Sequence, residues 1–433
     1  MKSKNPIRIV TIESFDGKGY GKGATETGGV LSVPFTAPGD VVEAAKIKSR
    51  AGRLQRIVEP SPHRIDPVCR HFAHCGGCSW QFLPYSQQLQ YKILAVAQAF
   101  QTHQLDFDFT QIEITPSPPL GYRNRMDFVW NWDGSFGLRE QGRWYRVVDL
   151  QECHLLPPDV MAIALEVNRR VHAAGLPFRD SKRKTPGMRY LIVRRGVMTG
   201  EVMLLFVSDT MKLPDTLWSG FDQVASVYQL INDNQENDQS DGEPVLLSGS
   251  ATFRERVLGH EFHVGPRSFF QPNPVVAESM VERLRTIIKE KAGRKLVDLF
   301  CGVGLFSALL SGDCAETLGV EIVAEAAQLA RRNAPQANAR FICMEAERAS
   351  SLQLDQYDAL LVDPPRSGLH PKTLKWITQQ SFGELLYVSC NPRRGAEDIA
   401  QLREHYRVVS VALFDQFPQT PHVEMIARLT RFE

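Results

Sequence analysis

The sequence predicts an α/β protein: an open, mainly parallel Rossmann-like sheet in the carboxyl-terminal part, preceded by a small β-barrel and a mixed α+β region. Three observations lead there. The apolar run 295–300 turns through Cys301-Gly302-Val303-Gly304 into a helix, the strand–glycine turn–helix unit that lets a ligand approach the backbone. About twenty residues on, Thr317-Leu318-Gly319-Val320-Glu321 reads as a second strand ending in an acid, with a helix over 324–333 behind it. Further apolar runs at 340–344, 359–363 and 384–389 then alternate with helical stretches, as in a doubly wound sheet whose ligands sit beyond the carboxyl ends of the strands.

A chain of 433 residues is too long for one growing core, so several domains are expected. The composition shifts place them at 1–60, 61–265 and 266–433. No segment approaches the roughly 20 apolar residues of a membrane span, and the first residues carry charge without an apolar core, so a cytoplasmic protein with no membrane partner is expected. Net charge is +1, but its distribution is uneven. Residues 1–60 hold ten Lys/Arg against six Asp/Glu, and residues 166–195 hold nine against two. Local contact with a polyanion suits that pattern.

Taken in order, residues 6–57 read as short strands (7–12, 29–33, 41–47) joined by the lysine-bearing glycine turn 17–23 and by Pro38-Gly39-Asp40. Small OB-like barrels of this kind bind single-stranded or loop RNA. Next, Cys69, Cys75 and Cys78 lie within ten residues, with a Gly-Gly pair easing a tight wrap, and Cys153 is available by tertiary folding. Four thiolates suit an iron–sulfur cluster and suit tetrahedral zinc equally. A helix is predicted over 84–102 with Leu89, Ile93, Val96 and Phe100 on one side. The stretch 121–150 interleaves arginines with aromatics, which combines phosphate contacts with stacking surfaces. Extended segments come next at 188–193, 201–207, 224–231 and 257–264, and the polar run 232–242 reads as an exposed loop.

The glycine turn identifies a donor pocket. Gly302 and Gly304 permit close approach, and Glu321 is placed to grip a ribose diol. Phe306 stands where a dinucleotide site prefers a small residue, and Asp298 immediately precedes the loop, which favours S-adenosylmethionine with Asp298 near its amino-acid end. Gln271, in Phe269-Phe270-Gln271-Pro272-Asn273, is a candidate to cover the donor or a base. Cys390 succeeds a buried strand and precedes an Asn391-Pro392 break, which presents a thiol to the crevice as a nucleophile. Cys301, Cys314 and Cys343 read as small buried apolar groups.

These stretches, with Asp363-Pro364-Pro365-Arg366-Ser367-Gly368, Ser389-Cys390-Asn391-Pro392 and Phe417-Pro418-Gln419-Thr420-Pro421-His422-Val423-Glu424, closely resemble the RNA 5-methyluridine (uracil-C5) methyltransferase family, in particular its iron–sulfur 23S ribosomal RNA members. The resemblance spans nearly the whole chain. It implies a class I S-adenosylmethionine-dependent methyltransferase domain behind an amino-terminal TRAM barrel. It further implies Cys390 as nucleophile, Glu424 as base and Asp363 as the uracil-orienting acid. The donor would be held by Gln271, Asp298, Phe300, Gly302, Gly304, Glu321 and Asp363, and a [4Fe-4S] cluster by Cys69, Cys75, Cys78 and Cys153, with zinc as the rival. Expected partners are 23S ribosomal RNA, or transfer RNA, and the chain is expected to act as a monomer. Two rivals share the letters: an exocyclic-amino RNA methyltransferase built on Asp363-Pro364-Pro365-Arg366, and a non-catalytic RNA-binding factor.

Overall fold

The computed structural model describes residues 6–432 apart from 235, 237 and 238. Five antiparallel strands open the chain: β1 (Ile7–Phe15), β2 (Gly21–Thr25), β3 (Val30–Val33), β4 (Val41–Lys46) and β5 (Gly52–Glu59), in the order β3-β2-β1-β4-β5. Alternation does the folding: Val10, Ile12, Leu31, Val33, Val42 and Ala44 share one small core while Thr11 and Glu13 face solvent. A bridge between Ser32 and Ala51 brings β3 to β5 and curls the sheet into a half-barrel. Buried Asp40 ties it to the next segment, accepting from Ser61 N at 2.7 Å and Arg64 Nε at 2.8 Å.

After the cysteine-bearing loop come α1 (Tyr85–Thr102) and a two-residue strand β6 (Ile114–Thr115). The middle sheet contains β7 (Arg125–Trp130), β8 (Phe136–Glu140), β9 (Arg143–Asp149), β10 (Met188–Arg195), β11 (Val202–Ser208), β12 (Val224–Ile231) and β13 (Glu243–Gly249), in the order β13-β12-β11-β10-β7-β8-β9; α2 (Pro158–Ala173) lies between β9 and β10 in the chain. Strand β11 is buried at every position because it serves two cores. Leu204 and Phe206 face α2, whereas Met203, Leu205 and Val207 join a cluster with the carboxyl-terminal domain. This is why its sequence reads as a continuous apolar run rather than an alternation. Of the polar run 232–242, residues 235, 237 and 238 lie outside the described residues.

A hairpin of β14 (Phe253–Val257) and β15 (His260–Val264) leads into α3 (Pro274–Lys289), which Asn273 caps by accepting from Val276 N. Then come β16 (Lys295–Leu299), α4 (Leu305–Leu310), β17 (Glu316–Glu321), α5 (Ala324–Asn333), β18 (Ala339–Cys343), β19 (Ala359–Val362), α6 (Pro371–Gln379), β20 (Glu384–Ser389), α7 (Pro392–Leu402), β21 (Tyr406–Phe414) and β22 (Glu424–Arg431). The sheet order is β18-β17-β16-β19-β20-β22-β21-β6. Strands β16 to β20 are parallel, whereas β22 runs antiparallel to both β20 and β21. Helix α1 packs its Val96 and Phe100 against this sheet, and β6 pairs with β21, so chain from before residue 120 completes the layer. Cys301 and Cys314 are buried as expected, but Cys343 is exposed, because it ends the edge strand β18 where no neighbouring strand covers it. Among the described residues no helix is long and apolar enough to cross a membrane.

Candidate active site and thiol centre

Three adjacent strands carry the reactive groups to one edge. Asp363 comes directly after β19, Cys390 directly after β20, and Glu424 opens β22. Because β22 is antiparallel to β20 with Ser389 opposite Met425, the next register position sets Cys390 opposite Glu424, with backbones about 5 Å apart. Asn391 and Pro392 then start α7, with proline at the first turn where its missing N–H costs nothing. The Asn391 side chain donates to Arg366 O at 3.0 Å, and Asp398 accepts from Leu369 N at 2.7 Å and Tyr387 Oη at 2.6 Å. Helix α7 thus holds the loop after Asp363 as well as presenting Cys390.

Electrostatics at this edge are dominated by burial. Glu424 is buried, its Oε1 finds no hydrogen-bond partner, and burial reinforced by Asp363 lifts its carboxyl well above the ordinary range while Arg366 opposes. Burial also raises Asp363 to about 7. Gln271 Nε2 donates to Asp363 Oδ2 at 3.4 Å, and Asn124 secures Gln271 by donating to its carbonyl at 2.9 Å. Burial pushes the Cys390 thiol to about 11, with Glu424 adding to the rise and a hydrogen bond and charge from Arg366 acting against it. A carboxyl able to take a proton therefore lies beside a half-buried thiol whose thiolate the Arg366 cation favours. Cys390 opens into a cleft of about 460 Å³ between the half-barrel, α1 and the loop before Glu424. Arg366 and His422 line both this cleft and a second one along β7 to β9.

The donor side is equally well formed. Phe300, Gly302 and Gly304 all take positive φ (67°, 54° and 85°), so the backbone after β16 doubles back over the strand ends. A side chain at Gly302 would project into open space, which leaves that cradle free for a ligand, whereas one at Gly304 would press on Ala330 at 3.1 Å. Glu321 accepts from Gly302 N at 3.0 Å and Val323 N at 2.8 Å, fastening the turn to β17 with lone pairs to spare. Buried Asp298 accepts from Ser307 Oγ at 2.5 Å, but its Oδ1 has no partner. Burial lifts it to about 7, with Ser307 opposing and the charges of Asp363 and Glu321 adding. An orphaned acid beneath an open glycine turn fits the cationic amino-acid end of S-adenosylmethionine. Phe269 is 62% exposed, which leaves its ring available for a substrate rather than for the core.

Cys69, Cys75, Cys78 and Cys153 line one small cavity beside Leu138 and Leu150. Gly77 N donates to Cys75 Sγ at 3.4 Å and Gln81 Nε2 to Cys78 Sγ at 3.2 Å. Burial raises Cys75 to about 11 and Cys78 to about 12. Among the described residues no group of three or more His, Cys, Asp or Glu is already set at metal-holding spacing. The donor set, its convergence and its N–H donors nonetheless fit a thiolate-ligated centre.

Two groups escaped the sequence reading. Gln88 and Lys92 sit on the fully buried stripe of α1, beside the partly buried Leu89 and Ile93. Lys92 Nζ lies 2.5 Å from Asp415 Oδ1 with both side chains wholly buried, and it also donates to Phe417 O at 3.1 Å. The available signal was a pair of polar residues at i, i+4 in line with Val96 and Phe100.

A parallel five-stranded core continued by an antiparallel pair, with a glycine turn after the first strand and acids at the strand ends, defines an S-adenosylmethionine-dependent methyltransferase fold. The family model tRNA (Uracil-5-)-methyltransferase matches residues 254–432. The tRNA (uracil(54)-C(5))-methyltransferase of Pyrococcus abyssi is 34% identical over 409 residues, covering 93% of this chain and 96% of its own length. An RNA methyltransferase of Nanoarchaeum equitans without an assigned target is 34% identical over 429 residues, covering 96% and 92%. The crystal structure of the Pyrococcus abyssi tRNA (uracil-54, C5)-methyltransferase with S-adenosyl-L-homocysteine matches at a TM-score of 0.81 and 30% identity, covering 98% of this chain and all of that one. The chain belongs to the S-adenosylmethionine-dependent RNA (uracil-C5-)-methyltransferase family.

Proposed function

We propose that this enzyme methylates C5 of a uridine in transfer RNA through a covalent adduct on Cys390. The observation that carries the reading is the register of β20 and β22, which sets a thiol opposite a buried carboxyl with a second acid on the adjacent strand. Uracil C5 is too weak a nucleophile to react unaided. Cys390 Sγ, as thiolate, bonds to C6 and makes C5 enolate-like, with Arg366 favouring that charge state. S-adenosylmethionine, when bound, would supply C5 with an electrophilic methyl group, its methyl–sulfur bond breaking to leave the neutral thioether S-adenosylhomocysteine. Glu424 then removes the C5 proton, and the C6–S bond breaks to release the thiolate and the product. Asp363, as the carboxylate, accepts from uracil N3–H and rejects cytosine, whose N3 is itself an acceptor; burial, which raises it to about 7, sets the pH above which that selection operates. Gln271, Asp298, Phe300, Gly302, Gly304 and Glu321 hold the donor. An exocyclic-amino transfer would need neither the thiol nor the second carboxyl.

The sequence motifs by themselves point first to 23S ribosomal RNA. Named relatives spanning 93% of the chain support transfer RNA instead. The target base must leave its stack, and the cleft along β7 to β9 offers Arg123, Arg125, Arg139 and exposed Trp144 to the flanking strand. The half-barrel of β1 to β5 acts as a TRAM-like RNA-binding module, and the four-thiol nest takes a [4Fe-4S] cluster, with zinc the alternative.

Mapping 5-methyluridine in transfer and ribosomal RNA from cells with and without the gene tests the substrate. Loss confined to transfer RNA is expected, and loss confined to 23S RNA would overturn that part. Denaturation-resistant capture of 5-fluorouridine RNA should require Cys390. Stoichiometric zinc without iron or acid-labile sulfide after anaerobic purification would sink the cluster.

A further inference from the structure

The loop between β21 and β22 ends at Glu424, and the groups that hold it come from the other half of the chain. Gln419 takes a left-handed φ of 66°, an uncommon conformation for a residue with a side chain. Groups distant in sequence meet it on every side. Its N donates to Gln88 Oε1 at 2.9 Å, and its Oε1 accepts from Gln88 Nε2 at 2.9 Å. Its carbonyl accepts from Ser79 N at 2.9 Å and Trp80 N at 3.0 Å, and its Nε2 donates to Pro119 O at 3.3 Å. One helical turn along α1, Lys92 holds Asp415 and Phe417 of the same loop. Past Gln419, residues Pro421, His422 and Val423 line the cleft onto which Cys390 opens.

From this geometry we infer that Gln88 is a positioning residue for Glu424: its two-point clamp on Gln419 sets where the carboxyl stands when the C5 proton must be removed. A neutral amide pair suits the task. It fixes the peptide in two directions without adding a charge near a carboxyl that burial has already raised. The donors from Ser79 and Trp80 come directly after Cys78, so the thiol nest and the loop of Glu424 are fastened to the same peptide. The inference rests on Glu424 acting as the base.

Gln88→Met keeps length and volume but removes both hydrogen bonds to Gln419, together with those from Gln88 Nε2 to Trp80 O at 3.1 Å and Leu83 O at 3.0 Å. With ordinary uridine RNA and S-adenosylmethionine, kcat should fall about 10- to 100-fold, the loss expected from a displaced catalytic group. The KM values for both substrates should fall along with kcat, leaving kcat/KM within about threefold, because the slowed step follows methyl transfer and the intermediate builds up before it. A denaturation-resistant protein–RNA adduct carrying the transferred methyl should accumulate, because only proton removal is slowed. Glu424→Gln is the control and should accumulate the same species. Adduct in Glu424→Gln without adduct in a folded Gln88→Met overturns the clamp. Absence of adduct in Glu424→Gln overturns the reading of the base instead. An unchanged kcat in Gln88→Met, or a lowered kcat with no adduct, also refutes the inference. Should Gln88→Met fail to fold, Gln419→Gly relieves the backbone and removes the Gln88 Nε2 to Gln419 Oε1 half of the clamp, and the same outcomes decide.

Discussion

Lys92→Met tests how much of the loop's order rests on one buried charge. Lys92 and Asp415 are both fully buried and 2.5 Å apart, and the same ammonium reaches Phe417 O. Burial pulls the lysine pKa down, while the charge and hydrogen bond of Asp415 push it back. Methionine fills nearly the same volume but leaves the buried Asp415 carboxylate without its cation, held only by neutral groups such as the Phe417 N–H at 3.2 Å and the Tyr85 hydroxyl. Removing one partner of a buried pair costs about 3–5 kcal/mol. Lys92→Met/Asp415→Asn removes the stranded charge and should regain about half of that, so the double variant should lose clearly less stability than the two single losses added together. Urea unfolding of the wild type, both single variants and the double variant, monitored by tryptophan fluorescence, measures each corner of the cycle. A Lys92→Met protein within about 1 kcal/mol of wild type, or strictly additive changes, would show that the carboxylate is neutralised or hydrated in a way this packing does not contain.

The remaining predictions concern the two halves of the site. Asp298 is lifted from its ordinary 3.8 to about 7, so the folded protein holds a proton that the unfolded chain has released between those values. Its contribution, on the order of 4 kcal/mol, is fully present below pH 3.8 and is lost as pH rises through 7. The donor-free stability of Asp298→Asn should therefore decline less between pH 5 and 8 than that of the wild type, and parallel thermal-unfolding profiles would contradict the assignment. Arg366→Met removes the cation that favours the Cys390 thiolate, so iodoacetamide alkylation of Cys390 at fixed alkaline pH should slow by about threefold or more, and an unchanged rate would count against it. In Gly319→Ala the new methyl would lie 2.5 Å from the Phe341 ring and 2.9 Å from Cys301 Sγ. Overpacking of that kind costs about 1–3 kcal/mol; a melting temperature equal to that of wild type would show that Phe341 and Cys301 can shift to make room.

Sequence alone determined the parts whose physics is local. Apolar runs with period two, a glycine pair after a strand and an Asn-Pro stop announce strand ends and turns because backbone sterics act within a few residues. Asp298, Glu321, Asp363 and Cys390 are therefore legible as strand-end residues in the chain itself, and the family resemblance adds Glu424. Tertiary structure decided whatever depends on register and on distant chain. That Glu424 stands opposite Cys390 results from the antiparallel insertion of β22 beside β20, since a one-residue slip would turn its side chain to the other face. That α1 belongs physically to the catalytic sheet, with Gln88 and Lys92 gripping a loop more than 300 positions away, is invisible to periodicity. A helix pattern reports which face is buried, but not what that face is buried against. The exposure of Cys343 has the same origin, because an edge position is a property of the assembled sheet rather than of the strand. Burial by distant parts of the chain is likewise the main cause that raises Glu424, Asp363 and Cys390, so their chemistry is a product of the fold even though their identities are written in the chain.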